Sequence, residues 1–339
     1  PGTLFMTPAE ILKSFPDLSA LVVGDICLDR WCTYDPAAAE ASRETEIPRV
    51  GVVGTAVTPG AGGTVANNLA ALGVGRVNVL GAIGEDGFGY ELVRALGDKG
   101  ISAELAIRSP KLQTFTYTKL INLQTGEEDL PRVDFIVSEP LPKDVESQLM
   151  QNLELGFTAF DVILVSDQAE TESGGVVTPR MRAKLAELAL KAPGKIVWVD
   201  SRKRTELFRD VILKPNRDEA ESACTRQFGM IDYQKLRRHA RAPLLVITQG
   251  SEGVLVIGEE GERLVRTRRV DRPVDICGAG DSFSAGAAMA LASGASPFEA
   301  ARFGNLVTSI TIMKKGTGTA SPEEVLAAEA GWLNDDTCD

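Results

Sequence analysis

Val274-Asp275-Ile276-Cys277-Gly278-Ala279-Gly280-Asp281-Ser282-Phe283 is the stretch from which the rest of the chain can be organised. It runs into a small-residue segment, Ala285 to Ala292, with the composition of a closely packed helix. Gly278 and Gly280 permit a tight turn with exposed backbone N–H groups, which β-carbons would hinder. A turn that opens a helix in this way aims unpaired amides and the positive end of the helix dipole at one place, which suits a phosphate. Asp281 at that place is electrostatically awkward, unless it receives a proton from an attacking hydroxyl while the amides hold the transferring phosphoryl group. The same residues also read as a Gly-rich turn with Asp281 as helix N-cap. Spacing alone does not separate the two.

The bulk properties narrow the chemistry. A chain of 339 residues, 44% hydrophobic and 24% charged, can bury the core of one large α/β domain. A net charge of −11 and a pI near 4.9 argue against a nucleic-acid footprint or a polybasic membrane surface. No apolar run is long enough to span a bilayer, and the first residues lack the basic-then-apolar order of a signal peptide. The cysteines (Cys27, Cys32, Cys224, Cys277, Cys338) are scattered with no C-x-x-C pair, which fits a reducing cytoplasm and neither a disulfide framework nor a zinc site. The single histidine, His239, sits in a basic run that reads as a solvated helix face. One histidine leaves no Ser-His-Asp triad and no multi-histidine metal site, so carboxylates, amides, lysines and backbone donors must carry the chemistry.

Along the chain, strands alternate with helices, which predicts right-handed crossovers and a mostly parallel sheet. Ala20 to Val23 reads as a buried strand ending in Gly24-Asp25, with Asp29 shortly after. Asp167, Asp200 and Asn216 likewise directly follow predicted strands, at the sheet edge where open α/β folds bind ligands. Pro59 to Gly73 predicts a glycine-bordered helix from Thr64 to Leu72, whose glycines would let a ligand approach the backbone and whose Asn67 and Asn68 suit sugar hydroxyls. Two stretches break the pattern. Residues 30–53 lose helical period, and residues 111–137 alternate around Gly126 as a β-hairpin; together they predict a small sheet capping the site. Gly253 to Ile257 and Arg263 to Val270 read as antiparallel edge strands, and residues from 331 onward as a loose terminus. There is neither a G-x-x-x-x-G-K-[ST] nor a G-x-G-x-x-G, so phosphate binding rests on the 278–281 turn.

These motifs resemble a known family. Residues 274–283 are similar to the C-terminal signature of the ribokinase-like (PfkB) carbohydrate kinases, Gly62 to Asn67 to their first G-G-x-x-x-N element, Gly84 to Gly89 to their G-x-D-x-x-G element, and Asn216 with Glu219 to their N-x-x-E motif. The motifs stand in family order over roughly residues 20 to 325. Within the family, Gly24 to Arg30, Arg132 to Asp134, Leu213 to Glu219 and Lys315 to Thr317 are similar to the kinase domain of D-glycero-β-D-manno-heptose 7-phosphate kinases. Cys277 stands where Thr is usual and Gln168 where Tyr is usual. The bifunctional relatives carry a nucleotidyltransferase domain, for which 339 residues leave no room.

The resemblance implies one three-layer α/β/α domain over residues 1–330, with lid segments at about 30–53 and 111–137. It implies ATP-dependent phosphorylation of a sugar or sugar-phosphate hydroxyl, with Asp281 as base and the amides of Ala279, Gly280 and Asp281, after Gly278, as an anion hole. Asp25, Asp29, Gly62, Gly63 and Asn67 would grip the sugar, and Lys119 and Arg132 would approach an acceptor phosphate. Asn216, Thr248, Gly250, Gly253 and Asn305 would bind ATP; Asn216 and Glu219 would hold Mg²⁺ through water, and Asp275 would border a K⁺ site. A homodimer through the lid is expected. The same fold also admits a non-catalytic sugar or nucleotide sensor, or a nucleoside kinase.

Overall fold

The computed structural model describes residues 6–168, 174–259, 261–268 and 270–335, with the side chains of 330–335 excepted. After α1 (Pro8–Ser14), β1 (Ser19–Gly24) passes through Asp25 alone into β2 (Ile26–Tyr34). β3 (Val52–Ala61) runs straight into α2 (Gly62–Ala71), followed by β4 (Arg76–Leu80), β5 (Ala82–Gly84), α3 (Gly87–Gly97) and β6 (Ile107–Ser109). β7 (Thr116–Asn122) and β8 (Val133–Phe135) precede α4 (Lys143–Ala159), β9 (Val162–Asp167), α5 (Pro179–Lys191), β10 (Ile196–Ser201) and β11 (Ile212–Leu213). Then come α6 (Arg217–Phe228), α7 (Tyr233–Ala240), β12 (Leu245–Thr248), β13 (Val254–Gly258) and β14 (Gly261–Val265). Three helices close the chain: α8 (Ala279–Ala292), α9 (Pro297–Thr311) and α10 (Pro322–Asp335).

The central sheet has the order β14-β13-β12-β11-β10-β9-β1-β4, parallel from β4 to β12 and antiparallel at β13 and β14. Its strands are apolar on both faces because helices cover both. Ala20 and Val22 of β1 pack into a core shared with α1, α2, α3, α8 and α9, while Leu21 and Val23 pack into a second core shared with α4, α5, α6 and α7. That is the expected three-layer sandwich. The parallel strands place Asp25, Gln168, Asp200, Lys214 and Thr248 at one carboxyl edge.

A separate four-stranded sheet, order β3-β2-β7-β8, forms the lid. β7 and β8 pair antiparallel as the predicted hairpin, and β2 joins them through a parallel pairing with β7 that local sequence does not announce. Differences from expectation have local causes. β14 ends at Val265 instead of Val270, where the Asn305 side chain donates to the carbonyls of Val265 and Arg266 at 3.2 and 3.4 Å. After Ile101 a single bridge joins Asn78 and Ser102, with β6 beginning at Ile107. α10 continues through Asp335, so residues 331–335, read as loose from their polarity, are helical; residues 336–339 lie outside the described set. Among the described residues, no helix is long and apolar enough to cross a membrane.

Candidate active site

α8 begins at Ala279, with Gly278 as its N-cap at a φ of 77°. That left-handed conformation is open to glycine and costly for other residues. A β-carbon at 278 would also lie 3.2 Å from Thr64 and 3.3 Å from Thr317, so the turn is wedged between α2 and the segment after α9. Asp281 is therefore the third residue of the helix and not its cap. The Ala279 N–H closes the turn onto the Ile276 carbonyl at 3.2 Å, which removes it from the expected trio of donors. Helix geometry leaves the N–H groups of Gly280 and Asp281 facing outward without an intrahelical acceptor. The turn keeps its place because Val274 and Asp275 both donate to the Ile312 carbonyl, and the Asp275 carboxylate accepts from Cys277 and Gly316 N–H at 2.9 and 3.1 Å. Asp275 thus engages both oxygens in holding the loop.

The turn opens into a cleft of about 900 Å³, open to solvent at its mouth, between the sheet edge and the lid. Asp281 and Gly278 share it with Asp29 of β2, Lys119 of β7 and Arg132 beside β8, so four predicted side chains and the turn meet in one place. Trp31, Gln168 and Arg202 also line it, and no local motif marked them as ligand-facing. Lys119 lies 3.7 Å from Glu128, and Arg132 lies 3.1 Å from Asp134 with its guanidinium 4.9 Å above the Tyr117 ring.

Electrostatics separate these carboxylates from ordinary surface acids. Burial pushes the Asp281 carboxyl up to about 7, and the neighbouring Asp200 adds to the effect, while Lys214 and Arg202 oppose it. Burial also pushes Asp29 up to about 6, opposed by the Cys27 thiol, Lys119 and Arg132. A carboxyl held near neutrality beside amide donors can accept a proton at physiological pH and return it, as a general base must.

Other predicted residues have different places. Asp25 lines a separate, mainly apolar hollow with Leu112 and Phe115, and its oxygens accept from the N–H groups of Val176 at 2.7 Å and Gln168 at 2.9 Å. Burial raises it to about 6, and those amides hold it in check. It fastens β1 to the residues following β9 and does not reach the cleft. Gly62 and Gly63 are buried, and β-carbons there would stand 2.7 Å from Ile26 and 2.6 Å from Pro59. Their glycine requirement is the approach of α2 to the lid strands, not of a ligand to backbone. Asn67 is buried on α2 and does not line the cleft.

Asn216 and Glu219 form a reciprocal capping box on α6: Glu219 N–H donates to Asn216 Oδ1, and Asn216 N–H to Glu219 Oε2, both at 2.8 Å. Glu219 keeps Oε1 outside that box, and burial and Asp200 raise its pKa. Thr248 bridges Asn216, and Gly250 follows on the next turn, so these two border the same edge. Gly253 and Asn305 serve the edge strands instead: a β-carbon at 253 would meet the Val265 carbonyl at 2.2 Å, and Asn305 donates to Val265 and Arg266.

Comparison with known proteins agrees with this geometry. The pfkB family carbohydrate kinase profile matches residues 19–324. The bifunctional protein HldE of Trichlorobacter lovleyi is 33% identical over 322 residues, covering 92% of this chain and 62% of the relative, so the chain spans less than two thirds of that protein's length. HldE of Geobacter sulfurreducens is 30% identical over 92% of this chain and 63% of its own. Among solved structures, phosphofructokinase-2 from Escherichia coli in complex with potassium aligns with a TM-score of 0.71 at 20% identity, over 93% of this chain and 99% of that one. Arabidopsis thaliana ribokinase complexed with ribose and ATP aligns at 0.64 and 19%, over 92% and 98%. These structural likenesses carry the fold. With the profile covering nearly all of the α/β body and the turn of α8 in its place, the chain belongs to the pfkB family of carbohydrate kinases and is a sugar kinase.

Proposed function

We propose that the protein transfers the γ-phosphoryl group of ATP to a hydroxyl of a sugar phosphate, with a heptose 7-phosphate as the foremost acceptor. The observation that carries this reading is the cleft itself: a carboxyl raised to about 7 at a helix N-terminus, facing Asp29, with Lys119, Arg132 and Arg202 around the same space. A neutral sugar needs the hydroxyl-binding carboxylate; a phosphorylated one also needs the cations. The resemblance of Gly24 to Arg30, Arg132 to Asp134, Leu213 to Glu219 and Lys315 to Thr317 to heptose 7-phosphate kinases supports the heptose assignment.

In the reaction, Asp29 orients the acceptor. Asp281, ionised above about pH 7, takes the hydroxyl proton as the oxygen attacks. The N–H groups of Gly280 and Asp281 and the α8 dipole meet the negative charge on the transferring group. ATP lies along the edge bordered by Asn216, Thr248 and Gly250. The residues at that edge fit a hydrated Mg²⁺: Glu219 has a carboxylate oxygen outside its capping box, in a pocket where Asp200 already makes negative charge costly. Mg²⁺ keeps several of its waters, so Glu219 and Asn216 would hold it through water. When bound, Mg²⁺ supplies charge neutralisation of the ATP phosphates. A K⁺ ion beside Asp275 would share oxygens that already accept amide hydrogens.

The exposed lid valines Val52, Val53 and Val57 (47%, 59% and 37% accessible) suit a homodimer through the lid, and the free buried thiols suit the cytoplasm. The test is ADP release from ATP against paired sugars and sugar phosphates, including D-glycero-β-D-manno-heptose 7-phosphate and its dephosphorylated form. Faster turnover with the phosphorylated member of each pair is expected. Equal or better use of the neutral members overturns the phosphate assignment.

A further inference from the structure

Beneath the turn that opens α8 lies a buried cation outside the roles described so far. Lys214, directly after β11, is 3% accessible. Its Nζ is 2.5 Å from Asp200 Oδ2 and donates to the Gly280 carbonyl at 3.5 Å. A β-carbon at 280 would stand 3.1 Å from the same nitrogen, so glycine there makes room for the lysine. Burying an ammonium requires a partner, which Asp200 supplies. Asp200 satisfies one of the ammonium's three donors, and the Gly280 carbonyl is within reach of another.

The contact with the carbonyl also bears on the turn. The Gly280 carbonyl and the Asp281 N–H belong to one planar trans unit and point in opposite directions. A donor fixed on the carbonyl fixes the direction of the N–H and polarises it toward stronger donation. We propose that Lys214, gripped by Asp200, is a positioning residue for phosphoryl transfer: it holds the Gly280–Asp281 peptide so that the Asp281 N–H faces the transferring group. Asp200 stands one residue before the end of β10 and Lys214 follows β11, two neighbouring parallel strands, so the main sheet itself sets the aim of the anion hole. This rests on the reading of the 278–281 turn as the transfer centre.

The experiment compares Lys214→Met, the double variant Asp200→Asn with Lys214→Met, and Asp281→Asn, using ATP and the panel acceptor that gives the fastest ADP release with the unaltered protein. Lys214→Met is expected to lower kcat about 100-fold, the scale of losing one oxyanion donor. KM for ATP and acceptor should stay within about threefold, because the contact acts on the transition state. The double variant, which carries no lone buried charge, is expected to regain the melting temperature but not kcat. Recovery of kcat together with stability in the double variant would make the pair a structural strut and overturn the inference, as would an unchanged kcat in Lys214→Met. The Asp281→Asn arm separates the two levels: if it too retains turnover, the transfer centre is misassigned; if only the Lys214 variants retain it, this inference alone fails.

Discussion

Replacing Asp281 by Asn should abolish turnover and make the protein more stable at alkaline pH. Its carboxyl is raised from 3.8 to about 7, chiefly by burial, so the folded protein binds that proton more tightly than the unfolded chain does. The stability this confers is fully present below about pH 4 and is lost as pH rises toward 7. Above pH 7 the ionised carboxylate is a standing cost of folding. Three pH units at about 1.4 kcal/mol each set a ceiling near 4 kcal/mol, and solvent reaching the cleft lowers this to about 2 kcal/mol. Asparagine keeps the shape and removes the charge. Thermal melts of both proteins at pH 5 and pH 8.5 should show a gap of a few degrees in favour of the variant at pH 8.5, shrinking at pH 5. In parallel, ADP release should fall at least about 100-fold, and the unaltered protein's kcat/KM should rise with pH through about 7. A stability gap independent of pH would refute the buried-carboxylate argument, and retained turnover would refute the base.

Lys119→Ala and Arg132→Ala should each raise KM for phosphorylated acceptors about tenfold, leaving neutral sugars nearly unaffected; steady-state kinetics on the paired panel reads this directly. EDTA should stop turnover and Mg²⁺ restore it, and Glu219→Gln should raise the half-saturating Mg²⁺ concentration about tenfold, measured by metal titration. Gly24→Ala should cost more than about 3 kcal/mol in urea unfolding, because Gly24 has a φ of 134° and an added β-carbon would sit 2.1 Å from the Ser166 carbonyl.

What could be read from the sequence divides along a physical line. The turn at 278–281, the alternation of strands and helices, and the hairpin at 111–137 are local patterns, and local patterns survive translation into structure. Lys214 and Arg202 were passed over because their meaning depends on which strands lie side by side, and no spacing along the chain records that β10 neighbours β11. Asn216 and Glu219 show a different difficulty. The residues that close the capping box are the ones proposed to hold a hydrated cation, so the letters N-x-x-E would serve both purposes at once. Gly62 and Gly63 were read as space for a ligand, when the space is occupied by Ile26 and Pro59. An absent side chain marks close approach without naming what approaches.

The lid has no linkers of its own at its root. β2 leaves β1 after Asp25 alone, and β3 enters α2 with nothing between. These two strands are therefore spliced directly into the body, while the lid's loops, residues 35–51 and 123–132, lie at the opposite end. Of the residues at those tips only Arg132 lines the cleft, so insertions or deletions there leave the register that ties Asp29 to the body undisturbed. Descendants of such a chain can vary in loop length while inheriting the Asp29 strand and the α8 turn unchanged.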